Sequence, residues 1–450
     1  MKYPCRTDFT NIHEYSLDIP YDHCKSNYIH MKKYIKLTVL FLVMTGFISC
    51  EKANIDVDTR PVDGSATGEV SGVWAKGSTQ VIKGDIIIPE GQSLTIEEGV
   101  TIVMDTIAKP EIIVKGNLYS LGTAENPVKF TISEPYRTEA NKFGKLWGGI
   151  LAAPTCKELV LDYTVLEYGG STTSDASTSV KMGLYKNKPG ENLPAIWFSN
   201  VNGKLIVQHS IIRHFQEDCT YIDGGKIIFS NNEFYTNGIT GGDAMNFKSG
   251  SLADVAYNIV YSMNSNALKL SNTGDRTPQA YIIAYNNTMV NTGWRRPTAK
   301  GGSVWVEATV RADLYNNLFA NTRFGIKRDP KKPEDTRSVY SNNWYYGFDQ
   351  TTVDQFQPGK NDVIGGVNDV KGTKAGENDP KFVNYPLNTA MTLPDYNKAW
   401  DFHLQGNSPA LTKGTTTFKR HYKDGIVLEN GTRYSSPEPA LYVGAYGIKL

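Results

Sequence analysis

From Val81 onward, short runs of alternating apolar and polar residues follow one another, each closed by Gly, Asn or Ser, and no 3.6-residue apolar period lasts long enough for a helix. Seven runs share one register: "LVLDYTVLEYGG" from Leu159, "LIVQHSIIRHF" from Leu205, "IIFSNNEFYTNG" from Ile227, "VAYNIVYSMN" from Val255, "IIAYNNTMVNTG" from Ile282, "DLYNNLFANTRFG" from Asp313 and "VYSNNWYYG" from Val339. Aligned, they stack Thr164, Ser210, Asn232, Asn258, Asn287, Asn317 and Asn343 in one column, with steps of 22, 26, 29, 30 and 26 residues from Ser210 onward. Asn is depleted from strands because its side chain competes for backbone hydrogen bonds, so a recurring Asn inside strand-forming sequence needs a cause.

Steps of this size mark a solenoid, and the absence of helical periods and of a leucine-rich consensus leaves the parallel β-helix. One coil of about 25 residues makes three short strands, and the next coil stacks about 4.8 Å above it. The Asn column then has work to do: stacked amides donate and accept along the axis at a corner of the coil. Residues Val81–Asp105, with breaks at Pro89–Gly91 and Glu98–Gly99, read as early coils of the same kind. The expected fold is all-β, a single elongated solenoid domain over 70–375, followed by C-terminal coils and a cap over 376–450. Phe348 to Asn378 would be an excursion from the last regular coil.

Composition narrows the picture. With 47 basic and 46 acidic side chains the net charge is +1, which gives no field to gather nucleic acid. Met31–Cys50, "MKKYIKLTVLFLVMTGFISC", has a basic start, a short apolar stretch and a small residue before cysteine, the layout of an export signal. It resembles a bacterial lipoprotein signal of Bacteroides-type bacteria, with Phe47, Ile48, Ser49 and Cys50 at the lipobox. That resemblance implies an upstream extension over 1–30, a signal peptide over 31–49, lipidation at Cys50, a flexible tether over 50–69, and an exported protein held at the outer membrane or cell surface by acyl chains. The cysteines left in the folded part, Cys156 and Cys219, read as packing residues rather than a disulfide framework.

"NPVKFTIS", "LWGGIL" from Leu146, "DPKFVN" from Asp379, "DFHLQGNSPAL" from Asp401 and "VGAYG" from Val443 resemble a family of secreted right-handed parallel β-helix proteins with the pectin-lyase-like fold. The resemblance implies that fold for nearly all of the mature chain and leaves the activity open.

A second strand per coil aligns as "AIWF", "AMNF", "ALKL", "SVWV" and "GIKR", whose third positions, Trp197, Asn246, Lys269, Trp305 and Lys327, point outward if the second and fourth enter the core. Lys248 and Glu307 follow two residues on, and the loop from Asn291 adds Trp294 and Arg295. Outward tryptophans among lysines suit a groove for an acidic polysaccharide, with rings under sugar faces and cations at carboxylates; cover by loops such as Gly170–Asn192 is the structural alternative. Binding without chemistry by a monomer, with no cofactor, is the first expectation. The alternatives are a structural or adhesive stalk, and a polysaccharide lyase or glycoside hydrolase. Fold resemblance implies for a lyase an Arg or Lys base with calcium, and "RRPTAK" from Arg295 carries part of such a motif. Asp243, Lys248, Arg295, Lys300 and Glu307 form the catalytic pool, without a nominated acid–base pair or a metal site.

Overall fold

The computed structural model describes residues 65–298, 301–359 and 362–449, so Cys50, the signal segment, the upstream extension and Lys300 lie outside the described residues. Ten parallel strands, from Gly72–Trp74 through Glu158–Asp162 and Ser251–Ala256 to Val339–Ser341, stack into one sheet, the first face. The second and third faces join in a sheet of nineteen strands, because Thr79–Ile88 is long enough to run from one into the other. The result is a parallel β-solenoid of ten coils, compatible with a pectin-lyase-like β-helix.

Strand alternation builds the core. Leu159, Leu205, Ile227, Ala253, Ile282 and Ala312 stand in register on successive first-face strands and point inward, in a cluster that runs from Trp74 to Phe356. Burying each leucine or isoleucine of the row contributes about 1.5–3 kcal/mol, and each alanine methyl less. Cys156 and Cys219 are free thiols inside this cluster.

The Asn column is a buried ladder at the corner between the first and second faces. Each amide Nδ2 donates to the next Oδ1: Asn232 to Asn258, Asn258 to Asn287 and Asn287 to Asn317 at 2.9 Å, and Asn317 to Asn343 at 3.1 Å. Each of those Oδ1 atoms also accepts the backbone N–H of the Asn one coil earlier, such as Asn258 N to Asn287 Oδ1 at 3.0 Å. Ser210 begins the amide run by donating its backbone N–H to Asn232, and Asp369 ends it by accepting from Asn343. A carboxylate suits the last rung, since it has no proton that needs a further acceptor. The residue before each rung is left-handed, with φ between 48° and 58° at Tyr163, His209, Asn231, Tyr257, Asn286, Asn316 and Asn342. Asn enters that region more readily than most residues, which accounts for the paired asparagines: the first turns the chain and the second joins the ladder.

Three boundaries differ from expectation. Ser65–Glu69, assigned to the tether, is a strand paired with Thr79–Ile88. The stretch after Phe348 continues the solenoid in part, since Val367 and Val370 bridge to Ser341 and Trp344. Between them and the last full coil, the helix Gln350–Gln355, capped by the Asp349 carboxylate on Thr352 N at 2.8 Å, buries Val353 and Phe356 against the end of the core.

Residues 379–449 then make no further coil. Phe382–Asn384 pairs antiparallel with Asp401–Leu404, and Ile426–Val427 with Arg433–Tyr434. Phe382, Tyr385, Phe402 and Val443 pack on Tyr235, Tyr261, Leu318 and Trp344 of the second face, and Ile426 and Leu428 pack on Val160, Ile206 and Ile228 of the first. Asp254 pins the passage by accepting the backbone N–H of His421 and Tyr422 at 3.0 and 2.8 Å. The apolar patches on the outside of those two faces need cover, whereas the end of the core is already closed by the helix.

Candidate functional site

The third face carries one outward column through nine coils: Ile87, Ile113, Leu151, Trp197, Tyr221, Asn246, Lys269, Trp305 and Lys327, each in register with the next. The column changes character halfway. Its first four members are apolar and lie beneath the insertion between Glu167 and Ile196, whose Leu184 and Leu193 pack on Ile113, Leu151 and Trp197. The remaining five mix aromatic, amide and ammonium groups; Tyr221, Lys269 and Trp305 are half-buried, and Asn246 and Lys327 are buried.

Trp197 is therefore not a groove residue. It points outward as its strand position requires, but it is 3% exposed, and its Nε1 donates to Asp223 at 2.9 Å. Arg295 is also diverted: its guanidinium donates to the carbonyls of Asn237, Gly238 and Ser262, holding the turn between the second and third faces. Burial pushes Arg295 down to about 10. Trp294 donates Nε1 to Asn321 O at 2.7 Å, with the Arg323 guanidinium 5.7 Å from its ring, so it braces the same turn.

Asn246, Lys248, Lys269, Trp305, Glu307 and Lys327 do come together on the second half of the face. Trp305 donates Nε1 to Glu307 Oε2 at 2.8 Å, and the Lys327 ammonium lies 5.7 Å from the Trp305 ring. The Lys248 ammonium sits 5.3 Å from the Tyr221 ring. Burial lowers the Lys248 pKa and neighbouring Lys269 lowers it further. Lys269 is opposed by burial as well, yet Asp243, Glu307 and Asp218 outweigh it and raise its pKa. Among the described residues, no carboxylate forms an ion pair with Lys248, Lys269 or Lys327.

Beside the lysines, a shorter ladder of acids closes the turn into the third face. Asp218 Oδ1 accepts the backbone N–H of Asp243 at 2.8 Å, and Asp243 Oδ1 accepts both N–H and Nδ2 of Asn266 at 2.9 and 2.8 Å. Asp218 Oδ2 accepts Asn246 Nδ2 at 2.9 Å, which leaves Asn246 Oδ1 buried without a partner among the described residues. Burial first, and Asp243 second, hold Asp218 above the usual carboxylate range.

Sequence reasoning missed Tyr221 and Asp218. The strand Thr220–Ile222, which carries Tyr221 and follows Asp218, places Thr220 where the other coils place an apolar residue, so the apolar-x-apolar signature is absent. The period itself was the available signal, because Asp218 precedes Asp243 by one coil step. Among the described residues no group of three His, Cys, Asp or Glu side chains is placed to hold a metal ion. Chemically, the site offers ring faces, ammonium groups free to meet anions, and a pair of adjacent acids. No protein-family model, curated protein or solved structure matches the chain, so its likeness to β-helix proteins rests on the fold.

Proposed function

We propose that the protein is an exported, lipid-anchored β-helix of the cell envelope or surface that binds an extracellular acidic polysaccharide on the second half of its third face. One observation carries the reading: where the first half of this column is apolar and covered by the insertion, the second half presents half-buried Tyr221, Lys269 and Trp305, with the buried ammonium groups of Lys248 and Lys327, without a carboxylate partner among the described residues, beside them. Aromatic faces pack on sugar rings, and cations among them select carboxylated or sulfated chains. Lipid anchoring is supported by the Met31–Cys50 sequence, and Cys50→Ala is expected to release the protein from the membrane fraction. A panel of acidic and neutral polysaccharides tests the binding. Retention on acidic chains that weakens with salt and with Trp305→Ala supports it; equal retention on neutral chains defeats it.

A second reading, a lyase or hydrolase acting on the same acidic glycan, is favoured by Asp218 and Asp243. Two adjacent acids, one held above its usual range, beside a lysine lowered by burial, form the kind of perturbed cluster that active sites use. Release of unsaturated uronate, followed by ultraviolet absorbance, or of new reducing ends would establish it, provided Asp243→Asn abolishes the signal.

A further inference from the structure

We infer that the site is a blind trough that takes the end of an acidic saccharide chain, rather than a track along which a polymer runs. This rests on the saccharide reading above and adds the part of the chain that is recognised. The nine-coil column could have offered a continuous track, but the insertion between Glu167 and Ile196 covers the first four coils and stops at Tyr221. Tyr185 stands there edge-on, its ring 5.4 Å from that of Tyr221 and 6.3 Å from that of Trp197.

The insertion is fastened down rather than draped. Glu111 accepts Ser179 N and Oγ at 2.7 and 3.0 Å, Asp85 accepts Thr178 Oγ1, and Lys145 donates to Thr172 and Asn192 at 3.0 and 2.9 Å. Beside Tyr221, Arg276 pairs with Asp223 at 3.2 Å, and Glu217 accepts Thr240 Oγ1 at 3.0 Å. A chain lying on Trp305 and Lys269 therefore meets the insertion, with Tyr185 foremost, as it reaches Tyr221.

The blind end is equipped for a terminus. Asn246, 3% exposed, has an Oδ1 atom with no donor, which a sugar hydroxyl would satisfy, and Lys248 has no carboxylate partner among the described residues. A terminal uronate supplies both groups at once. From Tyr221 to Trp305, its last half-buried member, the column spans three coil steps, about 14 Å, enough for a few sugar units only.

The test titrates the full chain with one polyuronate cut to several mean lengths and counts bound protein per polymer chain by light scattering. One protein per chain at every length, with affinity per gram falling as chains lengthen, supports end recognition. A count that rises with length overturns it while leaving polysaccharide binding intact; no binding at any length overturns both. Tyr185→Ala, which lowers the end wall, is expected to let the count exceed one on long chains, and an unchanged count in a folded variant speaks against the wall. Because that variant can disturb the fold, the wild-type length series stands as the deciding measurement.

Discussion

The two halves of the third face share one backbone and one register, yet they meet opposite fates. In coils one to four the outward column is Ile87, Ile113, Leu151 and Trp197, and an insertion of the chain lies over it. In coils five to nine it is Tyr221, Asn246, Lys269, Trp305 and Lys327, of which Tyr221, Lys269 and Trp305 keep part of their surface in solvent. The strands are indifferent to the change, because outward positions contribute little to the ladder of hydrogen bonds between coils. What differs is the free energy of leaving the column wet, which is unfavourable for four apolar side chains and acceptable for the mixed ones. The apolar patches of the first and second faces obey the same rule, for the C-terminal segment packs on them.

Four experiments break or sharpen this contrast. The largest effect is expected from Leu151→Lys, which places an unpaired charge under the insertion and is expected to lower stability by about 4 kcal/mol, read as a shift in urea midpoint. Lys269→Leu, three coils along the same column, is expected to change stability by no more than about 1 kcal/mol. Next come the two tryptophans: Trp197→Ala should lose about 3 kcal/mol of stability through the cavity it leaves, whereas Trp305→Ala should leave the midpoint nearly unchanged and weaken glycan affinity instead. Equal midpoint shifts for the two would erase the distinction.

Removing a cation from the open half is a smaller change. Lys269→Ala is expected to reduce affinity for an acidic polysaccharide about tenfold at low salt, with the deficit shrinking as salt is raised. An unaltered salt dependence would separate Lys269 from the bound anion.

The smallest effect concerns pH. Asp218 is held above its unfolded value, by burial first and then by Asp243, so the folded state prefers the proton. The sign follows: its contribution is fully present below the unfolded value, about 3.9, and is lost as pH rises toward the folded one. Asp218→Asn should flatten the stability profile between about pH 4 and pH 7 by about 1 kcal/mol relative to wild type. A steeper decline in the variant would reverse the assignment.

How far the sequence is legible can be argued from particular residues. Asn232 to Asn343 announce their ladder because a rung must be chemically identical, or nearly so, to its neighbours, and identity repeats visibly along the chain. Trp197 and Trp305 occupy the same position in the same motif, and nothing local tells them apart; only the path of an insertion closing on Leu151 does. Arg295 reads as a groove cation because its loop leads into a third-face strand, while its partners, Asn237 and Ser262, come from earlier coils. "DFHLQGNSPAL" carries strand alternation that fits a coil equally well, yet Asp401–Leu404 pairs antiparallel with Phe382–Asn384 on the outside of the solenoid.

The sequence by itself determined the solenoid, its register and its ladder, because these depend on what repeats at one coil step, and repetition is a property of the chain read in one dimension. The tertiary structure alone decided which outward side chains meet solvent. That choice depends on where the non-repeating segments, the insertion before Ile196 and the tail after Asp379, come to rest. Their resting places follow from the summed apolar area of columns assembled from many coils, a quantity that no stretch of sequence contains.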